Sequence, residues 1–333
     1  MGSILSRFLL LTIILVTAIV VNVCVGDVTV PPQEALQAII GAAPQSSLTE
    51  ILWQIRLPRI CVAVIVGAAL ATSGYLLQAL SRNSLADPYL TGVSSGAGLA
   101  VALATVCNLS FSAIPVAAFI GGLGASALVA FMARSPAGFS VGKLLLSGVG
   151  LSAICGAFIT MILIHASSVA QGQGLFFWLA GGIAGHTWSE VIPSCIYTVL
   201  GILVAFAMSK QIRLLSLGPQ SAQALGLDVA KTQWILLGAA VLMCGSAVSV
   251  SGLVGFVGLI APHLSRRMFG QDERIQIICA AMMGMTLVLV SDLAARTLGQ
   301  GQELPLGTLL SLIGGPFFLW LISSKHNKEV LQN

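Results

Sequence analysis

ICVAVIVGAALATSGYLLQAL, residues 60–80, holds no Asp, Glu, Lys or Arg, and its reading decides the fold class. A helix needs about 20 apolar residues to cross a bilayer, because without water every backbone amide must be satisfied inside its own segment. Nine further stretches read the same way: 8–25, 90–106, 111–133, 144–165, 191–208, 234–250, 253–264, 275–294 and 304–323. The composition agrees. With 57% hydrophobic and 8% charged side chains over 333 residues, there are too few polar groups to cover a water-soluble surface. The 36 glycines fall inside apolar runs, where small residues let membrane helices approach closely. The chain therefore reads as all-α: a polytopic membrane protein of about ten spans, folded as one transmembrane domain over 1–333.

The first stretch follows Arg7 and has a longer apolar core than a cleaved signal peptide, so it is expected to stay as the first span. Seven cysteines and four histidines (His165, His186, His263, His326) are scattered, with no Cys-x-x-Cys pair. They predict no protein-built metal site; a metal would arrive already chelated.

Ten spans put both termini on one side, and cations concentrate on the cytoplasmic face. With the termini inside, Arg7, Arg82, Arg134, Lys143, Lys210, Arg213, Lys231, Arg266, Arg267, Arg274, Lys325 and Lys328 are cytoplasmic, leaving only Arg56, Arg59 and Arg296 outside. The exceptions are informative. Arg56 and Arg59 lie in Gln54-Ile-Arg-Leu-Pro-Arg59, just before the second span, where the positive N-terminal end of a helix disfavours a cation. They either snorkel to lipid headgroups or pair with carboxylates of an external partner. Arg296 has a third option: Asp292 lies one helical turn away.

No Gly-x-x-x-x-Gly-Lys-Ser/Thr phosphate loop occurs, so ATP is not bound by this chain in the usual way. The spans hold almost no buried charge of the kind a gradient-driven carrier uses for coupling, Asp292 being the nearest candidate. Energy is expected from a separate motor. The longest cytoplasmic connection, KQIRLLSLGPQSAQALGLDVAK at 210–231, is too polar to span and too apolar for a solvated linker. Ser216-Leu-Gly-Pro219 breaks it, and Ser221 to Leu227 reads as a short amphipathic helix, either a docking element or a helix lying in the lipid interface.

Several strings together resemble one family along nearly the whole chain: Ile55-Arg-Leu-Pro-Arg59 with 66–74 (VGAALATSG), 78–88 (QALSRNSLADP), Leu217-Gly218 to Ala224-Leu-Gly226, 252–263 (GLVGFVGLIAPH) with Arg266, and Glu303-Leu-Pro-Leu-Gly307 with Gly314-Gly-Pro316. The chain resembles the iron-complex and cobalamin permeases, the transmembrane subunits of type II bacterial ATP-binding-cassette importers. One departure is Ser84, where that family commonly has proline, which implies a looser turn.

The resemblance implies a multi-pass subunit of the bacterial cytoplasmic (inner) membrane, paired with a second copy or a related permease. Two ATPase subunits would sit below, binding ATP and Mg, and a periplasmic or lipid-anchored substrate-binding protein would dock above. Lipid is the only other partner implied, with no cofactor and no nucleic acid. By the same likeness Arg56, Arg59 and Arg296 meet glutamates of the binding protein. Asn83, Ser84 and Leu85 with Val141 and Gly142 form a cytoplasmic gate, the fifth and tenth spans line the path, and Leu217, Gly218, Ser221, Ala224, Leu225 and Gly226 couple to the ATPase. The expected cargo is a ferric siderophore or haem, with cobalamin or molybdate as alternatives. Two rivals are a secondary carrier of inverted repeats, hinted at by Gly67-Ala-Ala and Gly238-Ala-Ala, and a membrane enzyme, for which the sequence offers no nucleophile and base cluster.

Overall fold

A computed structural model describes residues 2–26, 28–41, 47–135, 138–165, 169–270, 272–299 and 303–323; Lys325, His326 and Lys328 lie outside them. The described chain is a helical bundle. Its helices are α1 (Gly2–Cys24), α2 (Pro32–Ile39), α3 (Ser47–Ile51), α4 (Leu57–Ser81), α5 (Val93–Val106), α6 (Ile114–Met132), α7 (Val141–Ile164), α8 (Val169–Ala180), α9 (Trp188–Ala207), α10 (Ser209–Ser216), α11 (Pro219–Ala224), α12 (Val229–Ser251), α13 (Val257–Phe269), α14 (Glu273–Leu298) and α15 (Leu306–Ser323). Between α6 and α7, Arg134–Ser135 and Gly138–Phe139 pair as a minimal antiparallel ladder.

All ten expected spans fall on helices. Among the described residues seven segments are long and apolar enough to cross a membrane, α5 and α15 are shorter apolar helices, and α13, expected as the eighth span, is only 13 residues long and belongs to neither group. Three local differences have physical causes. The stretch expected to turn helical at Leu253 does so only at Val257, because Gly252 (φ 63°) and Phe256 (φ 67°) take left-handed backbone that an α-helix cannot contain. The helix expected to begin at Ile60 continues upstream through a π-helical turn, Leu52–Arg56, into α3. The wider π turn lets the chain carry Pro58 without ending. Arg56 and Arg59 are therefore inside a continuous helix rather than at a helix start, and the dipole penalty expected for them does not arise. Finally, α11 covers Pro219–Ala224 instead of Ser221–Leu227, because Pro219 supplies a favourable first-turn residue after Gly218 (φ 101°).

The centre of the bundle is α4, nearly every residue of which is buried, packed against α12, α13 and α14. Close approach is possible because the contacts are glycine on glycine. A Cβ at Gly67 would overlap the backbone of Gly284, and one at Gly74 the backbone of Gly258. These positions are seven apart, two helical turns, and so share a face. Ser73 Oγ donates to the Ala240 carbonyl (2.7 Å), joining α4 to α12. At one end of α4 lie the three arginines singled out above; at the other lies the segment 209–226. These are called the arginine end and the coupling end.

Candidate functional site

The arginine end is a closed charge network. Arg59 reaches two carboxylates at once: Nη2 lies 2.8 Å from Asp292 Oδ1, and Nη1 lies 2.6 Å from Glu303 Oε1. Arg296 Nε is 3.2 Å from Asp292 Oδ2, but its N–H direction makes no hydrogen bond. The same guanidinium donates from Nη2 to Asn22 Oδ1 (2.5 Å) and from Nη1 to the Val25 carbonyl (3.2 Å). Arg56 donates to the carbonyls of Val23 (2.7 Å) and Val28, and Gly26 leaves the room its guanidinium needs. Carbonyls after a helix C-terminus welcome a cation, and those of Val23, Cys24 and Val25 lie at the end of α1.

The sequence thus places all three arginines at one site, and the structure brings them together. It also occupies them: Arg56 and Arg59 are 6% and 9% exposed. Asp292, expected beside Arg296, bridges Arg296 and Arg59. The half-exposed member is Glu303, whose side chain retains 47% of its accessible surface.

Glu303 also lines a cavity of about 860 Å³, walled by the ends of α5 and α12, by α8, and by the loop 181–186. Phe111, Phe177 and Trp178 face it with aliphatic neighbours, and the polar lining includes Gln171, Ser249, His186 and Glu190. His186 Nδ1 lies 2.6 Å from Glu190 Oε2. Glu190 is fixed by a capping box with Thr187 at the start of α9. Neither residue was assigned a role by sequence reasoning. Their four-residue spacing was the available signal, hidden because the loop before α9 is not itself helical.

At the coupling end a second cavity, about 1100 Å³, lies between α4, α10, α13 and α14. It is lined by Asn83 and Ser84 of the expected gate and Leu217 of the coupling segment, with Arg82, Lys210, Arg213 and Arg266. Tyr75 Oη donates to Glu273, and Arg266 Nη2 donates to Gln78 Oε1. The turn expected to form the gate begins at Arg82, a left-handed C-cap (φ 52°). Asn83 then holds it: its Oδ1 accepts from Leu85 N (2.9 Å) and its carbonyl from Ala86 N (3.1 Å). This Asx turn does what a proline at Ser84 would do by ring closure.

Asp87 caps the short helical turn Pro88–Thr91 through Tyr89 N (2.8 Å). Burial pushes its carboxyl up to about 6, opposed by that hydrogen bond. Val141 lines a narrow gap with Ser81, Ala86 and Leu90 at the foot of the turn, whereas Gly142 is exposed beside it. In the coupling segment, Gly218 lies against the Arg82 guanidinium, and Ser221, Ala224, Leu225 and Gly226 face outward. Leu217 and Leu225 are 57% and 61% exposed, an apolar pair presented at this end.

Comparison with known proteins identifies the family and the fold. The model of the FecCD transport family aligns with residues 13–324. A hemin transport system permease protein of Yersinia pestis is 40% identical, covering 83% of this chain and 85% of its own. A vitamin B12 import system permease protein of Vibrio vulnificus is 37% identical, covering 88% and 91%. A solved structure of an ABC transporter assigned to the metal-chelate type, in an inward-facing conformation, superposes with a TM-score of 0.84 at 30% identity, covering 95% of this chain and 98% of that one. The helical bundle with its apolar spans is thus a multi-pass inner-membrane transport subunit, and the chain belongs to the FecCD transport family of ABC importer permeases.

Proposed function

We propose that this permease imports an iron complex, a ferric siderophore or haem, as one domain spanning 1–333. Two ATPase subunits engage α10 and α11 at the coupling end and supply the ATP and Mg chemistry. A second permease copy or related permease completes the path, lined by α7 and α15, and a binding protein docks at the arginine end. The observation that carries this reading is the coupling-end cavity, where the gate turn Asn83-Ser84 and the coupling residue Leu217 share one wall. A motor pressing on Leu217 and Leu225 moves the segment whose Gly218 rests on Arg82, the residue that starts the gate turn. Leu85, Val141 and Gly142 complete that gate. The binding protein makes the first selection of cargo, while ATP shifts the balance of inward and outward states.

An ion gradient is the less favoured energy source, because Asp292 is held between two arginines and so is poorly placed to cycle a proton. Cobalamin or molybdate remain alternative cargoes of the same architecture. Docking at Arg56, Arg59 and Arg296 must contend with their internal partners. Glu303, exposed and bound to Arg59, is the group an incoming glutamate displaces.

The test is ATP-dependent uptake into liposomes holding the permease with its ATPase and binding protein, comparing ferric siderophore, hemin and cobalamin, with and without Arg56→Glu plus Arg59→Glu. Uptake that requires ATP and collapses in the double variant, with thermal melting as the folding control, supports the importer and its docking arginines. Uptake that ignores ATP and follows a proton or sodium gradient overturns the energy source.

A further inference from the structure

The arginine-end cavity carries a chemical feature that transport as such does not require. Every charged side chain lining it is already paired: His186 with Glu190, and Glu303 with Arg59. The wall therefore offers no surplus cation to a multiply anionic chelate. It offers instead an apolar, aromatic surface from Phe111, Phe177 and Trp178, in a volume of about 860 Å³, within the roughly 300–1,000 Å³ of sites that hold one small molecule.

His186 is oriented there by a carboxylate. Glu190 Oε2 lies 2.6 Å from Nδ1, so with Nδ1–H donating to the carboxylate, Nε2 is the ring nitrogen left to ligate. No hydrogen bond engages Nε2 among the described residues. Glu190 is itself immobilised by the capping box with Thr187. A carboxylate bound to one nitrogen of an imidazole that lines a cavity, with the other nitrogen unengaged, is the outer-shell arrangement that fixes ring orientation and raises basicity in metal-ligating histidines.

We propose that His186 is an axial ligand for a flat, aromatic, iron-bearing macrocycle of the ferric porphyrin type while that cargo crosses the arginine-end cavity. In this step Nε2 donates its lone pair to the iron, one water leaves the axial position, and the oxidation state of the metal does not change. A chelate whose own donors already fill six positions gains nothing from His186. The cavity thus discriminates by open coordination sites and ring stacking rather than by charge. The proposal rests on the importer reading and narrows its cargo class.

The experiment is titration of the purified full-length permease in detergent with hemin, following the Soret band. Wild type is expected to saturate at one hemin per chain with a ligation shift. His186→Ala loses the shift and binds at least tenfold more weakly, and Glu190→Gln loses about tenfold, as outer-shell changes do. His165→Ala serves as the control for an unrelated exposed histidine, and melting curves control for folding. Metal-free protoporphyrin should bind wild type and His186→Ala alike. An identical Soret shift in His186→Ala, or an unshifted band in wild type, overturns the proposal. If ATP drives uptake of a saturated ferric siderophore while hemin is never ligated, the axial site falls and the importer reading stands. If hemin is ligated through His186 but nothing is taken up with ATP, the site stands and the importer reading falls.

Discussion

Asp292 is the residue on which the arginine end turns, since it lies against both Arg59 and Arg296 and is 1% exposed. Removing one partner of a buried ion pair leaves an uncompensated charge and costs on the order of 3–5 kcal/mol. Asp292→Ala is therefore expected to lower the melting midpoint of the purified permease sharply, and a second change, Arg59→Leu, to recover part of the loss; an additive double variant would mean that the two side chains do not interact. Asp87 gives a pH-dependent expectation. Its carboxyl is raised to about 6 in the folded chain, from 3.8 otherwise, so the folded state holds the proton more tightly. Stability of the wild type then rises as pH falls from 6 toward 4, whereas Asp87→Asn, which keeps the cap on Tyr89 but cannot ionise, stays flat over that window. Melting midpoints at pH 4 and pH 8 check this, and parallel profiles would contradict it. At this scale the sequence was half legible. Counting charges isolated Arg56, Arg59 and Arg296, yet Glu303, 244 positions from Arg59, could not be assigned as its partner without the fold that joins them.

The packing of α4 makes specific demands on its glycines. Gly67 touches the backbone of Gly284, so Gly67→Ala pushes two helices apart and is expected to cost about 1–3 kcal/mol and to reduce transport. Gly238→Ala on α12 meets open space and should melt and transport like wild type. Equal effects of the two would contradict the packing described. The echo between Gly67-Ala-Ala and Gly238-Ala-Ala is thus one of spelling, the first at a helix contact and the second not. The same distinction divides the glycines of α7: Gly148 lies against the Leu90 carbonyl, while Gly150 and Gly156 meet nothing within 4 Å. Spans as a class were readable from apolar run length alone, which is why all ten stretches fall on helices. What escaped were elements that hydropathy does not mark. Gln171, Gln173 and two glycines dilute α8, α10 is polar, and the π turn before α4 looks in sequence like an ordinary proline boundary.

Across the whole molecule, the cations sort by end. Arg7 donates to the Met268 carbonyl (2.7 Å), Arg266 to Gln78, and Arg274 to Ser209 (3.4 Å), all at the coupling end with Arg82, Lys210 and Arg213. That asymmetry predicts the coupling end and both termini in the cytoplasm. A C-terminal green fluorescent protein fusion should be bright and an alkaline phosphatase fusion inactive; the reverse would invert the topology. The two cavities lie at opposite ends of α4, and the two ends were legible unequally. The motifs of the proposed gate and coupling segment are local strings, whereas the arginine-end cavity is assembled from five separate parts of the chain. The burial of α4 has a further consequence for descent. A rod touched on every side admits few substitutions, so tolerated change falls elsewhere. The open candidate is α8, with Phe176 and Phe177 each at least 60% exposed. That short helix touches few neighbours, so it is the part of the cavity wall that can be exchanged with least disturbance to the packed centre.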